Sequence, residues 1–475
     1  MKRLRQLFND ARSSFWFVPS LAVVDGIVAA LVLIEADAVW GDRWLALWPR
    51  LFGVGAEGAR QLLATLAGSM MSLMGITFSM TLVALALASS QYTSRILRNF
   101  MKNRATQTTL GVFAGIFTYC LIVLRSIRGG DAGFIPSGAV LFAFVLALAG
   151  VVVLIFFIHH IASSIQAVSI IASVAQETNA AVDRVLPDMQ VREPDGAQYE
   201  VDEQVLASLD DRTWYPVPAQ VSGYIQGVDE DAILDLARNH RTIVRMERGI
   251  GAFAVEGAAL ASLALTYPPD QGTITALNRA YTISAHRTIE WDPAFGIRQI
   301  VDIALKALSP GVNDTSTAVM CVDYLTAILA RLSGRHYPPS QRYEGEALRV
   351  IATVPTFEAL LAEAFDQIRG SAEGNVAIIA RMLGAIDTLG SLTDNPRHRR
   401  ALDEQAQWIA ELAGRSLPAP QDRARIERRL AHVREALMAK GLGSERLFIG
   451  EPKLRGEAAD NSPWVPQAQL TLSVN

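Results

Sequence analysis

The sequence predicts an α-helical membrane domain with four transmembrane helices, followed by a cytoplasmic α+β domain with a helical C-terminal region. The mean hydropathy of the 475 residues is +0.24, which is high for a water-soluble protein. The charge is uneven, because residues 1–160 carry a net +6 and the rest carry −10. A basic membrane part and an acidic soluble part account for both observations. The acidic balance also argues against nucleic acid as a partner, since that needs a basic face.

Four apolar stretches are predicted to span a bilayer, whose hydrocarbon core takes about 20 helical residues. They lie at residues 15–34, 62–88, 107–126 and 137–158, which makes residues 1–160 the transmembrane domain. A cleavable signal peptide is the alternative for the first stretch. Asp25 interrupts its apolar centre and no small-residue cleavage site follows, so a span is the better interpretation.

Basic residues predict the orientation, because cytoplasmic loops of membrane proteins are enriched in Lys and Arg. They cluster before the first span and between the second and third spans: Lys2, Arg3, Arg5, Arg12, Arg95, Arg98, Lys102 and Arg104. Four spans then return the chain to the same side of the membrane. We therefore expect both termini, and the large acidic part, to be cytoplasmic.

Polar and small residues inside the spans are candidate functional positions. Asp25 lies mid-span, where an acid is either functional or paired with a Ser or Thr of a neighbouring helix. The second span carries a candidate face of small and hydroxyl residues: Ser69, Ser72, Gly75, Thr77 and Ser79. Such a face either lets helices pack closely or lines a watery path. Gly111 and Gly115 in the third span predict close helix packing.

A helical stalk is predicted at residues 161–187, because no Gly or Pro occurs between Gly150 and Pro187. Its apolar positions follow a heptad seam: Ile161, Ile165, Val168, Ala172, Ala175, Asn179 and Val182. The seam predicts either a parallel contact between subunits of a homo-oligomer or packing against the chain's own C-terminal helices.

The acidic remainder is predicted to form several segments. A linker covers residues 188–213, a β-rich α+β module 214–295, a helical module 296–440 and a tail 441–475. Within the β-rich module, Asp229 is the predicted N-cap of a helix whose buried face contains Ile233, Leu236 and Ala237. From Arg342 onward we expect helices only.

A tight corner joins two predicted helices in the segment "KALSPGVNDTSTA". Pro310 ends the first helix, and Asp314 or Thr315 caps the second. The corner is either purely structural or a ligand or interface site, and Asp314 would suit a cation or a partner's Arg. The candidate residues of this site are Arg287, Asp292, Ser309, Gly311, Asn313 and Asp314.

Two segments resemble a bacterial family known only as predicted membrane proteins of unknown function. They are "MGITFSMTLVALALASSQYTSRILRNF", which continues into the third span, and "FGIRQIVDIALKALSPGVNDTSTA". The resemblance covers residues 15 to about 330 and implies a multi-pass protein of the inner (plasma) membrane with a cytoplasmic domain. It implies no activity.

The function is predicted as channel-like transport by a homo-oligomer in the lipid bilayer. Ser69, Ser72, Thr77 and Ser79 would line the path, and Arg95 and Arg98 would lie at its cytoplasmic mouth. The alternative is a non-conducting scaffold or sensor, whose cytoplasmic domain binds an ion, a small ligand or a partner near Asn313.

An enzyme is not expected, because the sequence has no Walker A, HExxH, GxSxG or kinase motif. The two cysteines, Cys120 and Cys321, form no CxxC pair. We accordingly predict no metal site and no cofactor.

Overall fold

The computed structural model describes residues 16–47, 55–91, 104–128, 134–164, 166–186, 209 and 212–441. The chain divides into two compact units, each made of two separate stretches of sequence. The first unit takes residues 1–181 and 287–324, and the second takes residues 182–286 and 325–475.

The described chain begins with helices only, continues with helices and strands in mixed order, and ends with helices only. The helices are α1 Phe17–Leu47, α2 Ala56–Gln91, α3 Arg104–Ser126, α4 Ser137–Ser164, α5 Ala167–Val185, α6 Glu230–Asn239, α7 Gln271–Ala280, α8 Pro293–Leu308, α9 Thr315–Ser333, α10 Phe357–Ser371, α11 Val376–Leu392, α12 Pro396–Ser416 and α13 Pro420–Gly441. The strands are β1 Trp214–Pro218, β2 Gly223–Val228, β3 Val244–Met246, β4 Phe253–Ala254, β5 Ala259–Ala264, β6 Tyr281–Ser284, β7 Gln341–Glu344 and β8 Ala347–Ile351.

Helices α1 to α4 form a bundle with α3 at its centre, because α3 packs against the other three. In α3, 56% of the most apolar window is buried, against 6% in α1 and 22% in both α2 and α4. Those three helices therefore expose apolar faces, as expected for helices surrounded by lipid. Phe113, Ile116 and Tyr119 of α3 lie in the buried core.

Glycines allow α1 to approach α3 at backbone distance. A Cβ added at Gly26 would lie 2.5 Å from the carbonyl oxygen of Gly115, and one added at Gly115 would lie 2.6 Å from the carbonyl oxygen of Ala22. Gly111 faces Ala22 and Pro19 in the same way. The prediction that Gly111 and Gly115 serve helix packing is confirmed.

The predicted continuous stalk is wrong, because the helix that begins at Ser137 ends at Ser164 and α5 begins at Ala167. The hydroxyl of Ser163 donates to the carbonyl of His159 (2.9 Å), and that of Ser164 donates to the carbonyl of Ile161 (3.1 Å). Hydroxyls that bond to backbone carbonyls compete with the helical ladder and thereby weaken the last turn of α4.

Five described helices are long and apolar enough to cross a membrane by length and composition, namely α1 to α4 and α9. The sequence prediction had four and did not include α9. Helix α9 carries an acid and a base, Asp323 and Arg331. Its residues Cys321, Val322 and Leu325 are fully buried in the protein.

The second unit contains two sheets. The larger has the strand order β1-β5-β3-β8-β7, and the smaller has the order β4-β2-β6. Neighbouring strands are antiparallel except β3 and β8, which pair in parallel with Val244 opposite Val350. The Asp229 side chain caps α6 by accepting the N–H of Ala232 (3.1 Å), and the predicted face of α6 is buried. Both predictions for α6 are confirmed.

The expectation of helices only after Arg342 is wrong for β7 and β8. These strands form a hairpin whose turn contains Gly345 at a φ of 60°, a conformation that suits glycine. The hairpin exists because β8 pairs with β3, about a hundred residues earlier in the chain. Beyond it, α10 to α13 form the expected helical C-terminal region, with Thr356, Asn375 and Asn395 as N-caps.

We expect Gly26→Ala to destabilise the bundle by about 1–3 kcal/mol, because the added methyl group would overlap the Gly115 carbonyl. The readout is the unfolding temperature of the purified full chain in detergent. Gly75→Ala is the matched control, since a Cβ there meets nothing within 4 Å. Equal unfolding temperatures for the two variants would contradict this packing.

His398 gives the second unit a pH-dependent stability. Burial lowers its pKa below the ordinary value, and the nearby Glu358 carboxylate offsets part of that effect. The unfolded chain therefore takes up a proton from about pH 6.5 downward, whereas the folded chain takes it up only at a lower pH, so stability falls as the pH falls below that value. We expect the unfolding temperature to drop more between pH 7.5 and 5.5 in the wild type than in His398→Phe, which keeps a ring stacked on Phe357. Equal drops in the unfolding temperature of the two proteins would contradict the role of His398 in this pH dependence.

Candidate functional site

One face of α2 carries small and hydroxyl residues and points away from the bundle. Ser69, Ser72, Gly75 and Ser79, together with Gly68, are exposed, whereas Leu63, Ala67 and Met70 on the other side are buried. A Cβ added at Gly68 or Gly75 would meet no atom within 4 Å. Within the described residues, the small residues of this outward stripe therefore serve no helix packing, unlike Gly26 and Gly115.

Thr77 does not belong to this stripe, although the sequence prediction grouped it there. It is fully buried, and its hydroxyl donates to the carbonyl of Leu73 (2.7 Å). Five residues separate Thr77 from Ser72, which on an α-helix turns the side chain to nearly the opposite side. The outward stripe is thus Gly68, Ser69, Ser72, Gly75 and Ser79.

Two serine hydroxyls of the stripe, those of Ser69 and Ser72, have their protons engaged by the helix itself. Ser69 donates to the carbonyl of Thr65 (2.8 Å), and Ser72 donates to the carbonyl of Gly68 (3.0 Å). A hydroxyl oxygen keeps acceptor capacity after donating one hydrogen bond. The stripe therefore presents oxygen acceptors and open glycine positions to its surroundings.

Asp25 is exposed on the apolar outer face of α1, beside Val24 and Val28. No hydrogen bond or ion pair joins it to another residue in the described part of the chain. An acid at the centre of a membrane helix costs roughly 2.5–3.5 kcal/mol on insertion scales. Pairing with a Ser or Thr of a neighbouring helix, one of the two predicted alternatives, is not seen among these residues.

Asp37 is a structural carboxylate that the sequence reading did not single out. It is 8% exposed near the end of the apolar part of α1, and its Oδ2 accepts the N–H of Ala139 (2.7 Å) at the start of α4. Tyr119 of α3 donates to the carbonyl of the same Ala139 (2.8 Å). Asp37 caps a helix other than its own, and no local spacing signals such a contact.

The predicted corner is an exposed turn that satisfies its own polar groups. Asn313 adopts a φ of 48°, and its N–H donates to the carbonyl of Ser309 (2.9 Å). Asp314 caps α9 by accepting the N–H (3.0 Å) and the hydroxyl (2.6 Å) of Thr317. Gly311 is exposed as well. The described contacts of the corner are those of a helix-to-helix turn.

Arg287 and Asp292 form an ion pair within the first unit. The Arg287 Nε and Nη2 donate to Asp292 Oδ2 at 2.9 and 2.7 Å, and Asp292 Oδ1 accepts the N–H of Phe295 (3.1 Å). Asp292 is buried, and the Arg287 guanidinium lies over the Phe295 ring. The pair therefore fixes the start of α8.

The predicted seam is only partly on the buried face of its helices. Ile161, Ala175 and Val182 are buried, Ala172 is half-buried, and Val168 is 47% exposed. The buried face of α5 instead includes Ile171, Val174 and Thr178, and Thr178 touches the Cβ position of Gly296 in α8. Within the first unit, α5 thus packs against α8 of the same chain. The Oδ1 atom of Asn179 is buried and has no hydrogen-bond partner among the residues that the structure describes.

Three further sequence-predicted positions lie outside the described residues: Ile165, Arg95 and Arg98. In the described ranges, no group of three or more His, Cys, Asp or Glu side chains is arranged to hold a metal ion.

We expect Asp292→Ala to lower the free energy of unfolding by about 2–4 kcal/mol, because it leaves Arg287 without its partner and removes the cap of α8. Asp292→Asn keeps a capping oxygen and should fall between the wild type and the alanine variant. Chemical denaturation of the full chain in detergent measures the free energy of unfolding of the three proteins and thereby their order. An unchanged stability for Asp292→Ala would show that the start of α8 is not held by this pair.

Comparisons with known proteins agree with a membrane protein. The family model described as "Predicted membrane protein (DUF2254)" matches residues 12–388. The uncharacterized proteins Rv1290c of Mycobacterium tuberculosis (strain ATCC 25618 / H37Rv) and Mb1321c of Mycobacterium bovis are each 30% identical over 452 residues, which cover 93% of this chain and 84% of each relative. No solved structure matches. The chain therefore belongs to the DUF2254 family of predicted membrane proteins, as its two sequence segments had indicated.

Proposed function

We propose that this membrane protein is a channel-like transporter, assembled from several copies of the chain in the bacterial inner membrane. The observation that carries the proposal is the outward stripe of α2. It offers hydroxyl oxygens and open glycine positions on a face that no other described residue covers. In an assembly, such a face borders a narrow polar path for an ion or a small polar solute.

The contrast with α4 supports this assignment. The exposed side chains of α4 are apolar along the span, for example Phe144, Val152 and Ile155. That composition suits contact with acyl chains, whereas the stripe of α2 gains little from them. The outward side of α2 also exposes apolar side chains such as Ile76 and Val83, but α4 exposes no row of small and hydroxyl residues along its span. The stripe of α2 is therefore the better candidate for a path.

The second unit is proposed as a cytoplasmic regulatory domain. The basic residues before α1, together with those between α2 and α3 in the sequence, favour cytoplasmic termini for four spans. The pairing of Arg331 and Asp183 supports α9 as a helix of the protein interior and not a fifth span. Their atoms lie 2.6 Å apart, and an ion pair of this kind suits an aqueous end of a helix.

A non-conducting scaffold or sensor is the second candidate. It is favoured by the engaged hydroxyls of Ser69 and Ser72, since hydroxyls bonded to their own helix also suit a dry contact between helices. The two candidates differ in one measurable respect, which is whether ions cross a membrane that contains only this protein.

Ion flux into liposomes that contain the purified chain tests the proposal. We expect flux above that of empty liposomes, and we expect Gly75→Leu to reduce it to background, because the side chain would project into the path. The matched control is Val152→Leu, which enlarges an exposed side chain on the lipid-facing side of α4. Absence of flux for the common alkali cations and for chloride would exclude the channel and leave the scaffold.

A further inference from the structure

We propose that the α1 face carrying Asp25 docks against the outward stripe of α2 in a second copy of this chain. The proposal identifies what covers the stripe and adds a carboxylate to the wall of the path. The preference of that path for cations rests on the proposed function, whereas the contact between two copies of the chain does not.

The two faces lie at the same level of the bundle. Gly26, next to Asp25, touches the backbone of Gly115 in α3. One residue further along α3, the side chain of Ile116 lies 3.4 Å from the Cβ position of Gly150, and the Met70 sulfur lies 3.6 Å from the same point. Asp25 of α1 and the segment around Met70 of α2 therefore lie at a similar level, linked through these contacts of α3 and α4. Ser69 and Ser72 flank that level.

The two faces also complement each other chemically. Asp25 is a carboxyl group without a partner among the described residues, in a helix whose other exposed side chains nearby are apolar. The stripe of α2 offers hydroxyl groups at a similar level. They accept a hydrogen bond from a protonated carboxyl group as they stand, and they donate to an ionised one only after releasing the bond to their own helix. Gly68 and Gly75 leave space for a close approach of another helix. The exposed face of α4, by contrast, offers Phe144, Val152 and other apolar side chains.

The arrangement implies a head-to-tail contact between copies. The Asp25 face and the stripe are on different helices, and both helices pack against α3 and α4 of their own chain. One copy therefore presents two unlike surfaces, and repetition of such a contact generates a closed ring when the rotation permits. Each junction of the ring then has hydroxyls on one wall and a carboxylate on the other. A carboxylate in the wall favours alkali cations over chloride.

Cross-linking between two differently tagged copies tests the contact. One copy carries Leu21→Cys on the Asp25 face and the other carries Ser72→Cys, with Asp25 itself intact. A second pair, Val28→Cys with Ser69→Cys, lies on the other side of Asp25. The native Cys120 and Cys321, both buried, are replaced by Ala in every variant. The control pair joins Leu21→Cys to Val152→Cys, which is exposed on α4 close to the level of Gly150.

We expect a short bis-maleimide to link both test pairs in native membranes and not the control pair. Failure of both test pairs, or linkage of the stripe only to the same stripe of another copy, overturns the contact. In liposomes we expect the wild type to pass potassium in preference to chloride, and Asp25→Asn to lower that preference. Linked copies without any flux would retain the contact and exclude transport. Chloride flux that is unaffected by Asp25→Asn overturns the role of the carboxylate.

Discussion

The close approach of α1 to α3 through glycine is the contact on which the arrangement of the first unit depends. With backbone atoms of Gly26 and Gly115 in contact, α1 has one rotation about its axis that fits. That rotation directs Asp37 into the bundle, where it caps α4, and leaves Asp25 outside. A single steric condition thus gives two acids on the same helix opposite environments, one built into the fold and one exposed to the membrane.

Glycines of the membrane helices fall into two groups that a sequence does not separate. Gly26, Gly111 and Gly115 are in contact with backbone of a neighbouring helix, whereas Gly68 and Gly75 have open space around them. Both groups occur at helical spacing in apolar segments, where small residues favour close packing. Only the structure shows that the open positions Gly68 and Gly75 are not packed against another helix among the described residues.

Much of the fold is predictable because it follows from local chemistry. The four apolar stretches, the cap at Asp229 and the corner before α9 depend on residues close together in the chain. The β7–β8 hairpin is not predictable in this way, since its strands are stabilised by pairing with β3 far away in sequence. The cap provided by Asp37 depends on a different helix, and the burial of Thr77 depends on which side of α2 meets α3. The buried face of α5 differs from the predicted seam because this helix packs against α8 of its own chain. Apolar periodicity alone does not identify the partner helix.

The interleaved organisation of the chain limits how the protein can be divided. Residues 287–324 return to the first unit between strands β6 and β7 of the second, and Gly296 there touches Thr178 of α5. A fragment that starts after the predicted linker would keep α8 but lose the helix that covers this glycine. The segment after the membrane helices is consequently not an exchangeable module. Gene fusion or domain shuffling at the linker would separate parts of one folding unit, so we expect the two halves to be inherited together.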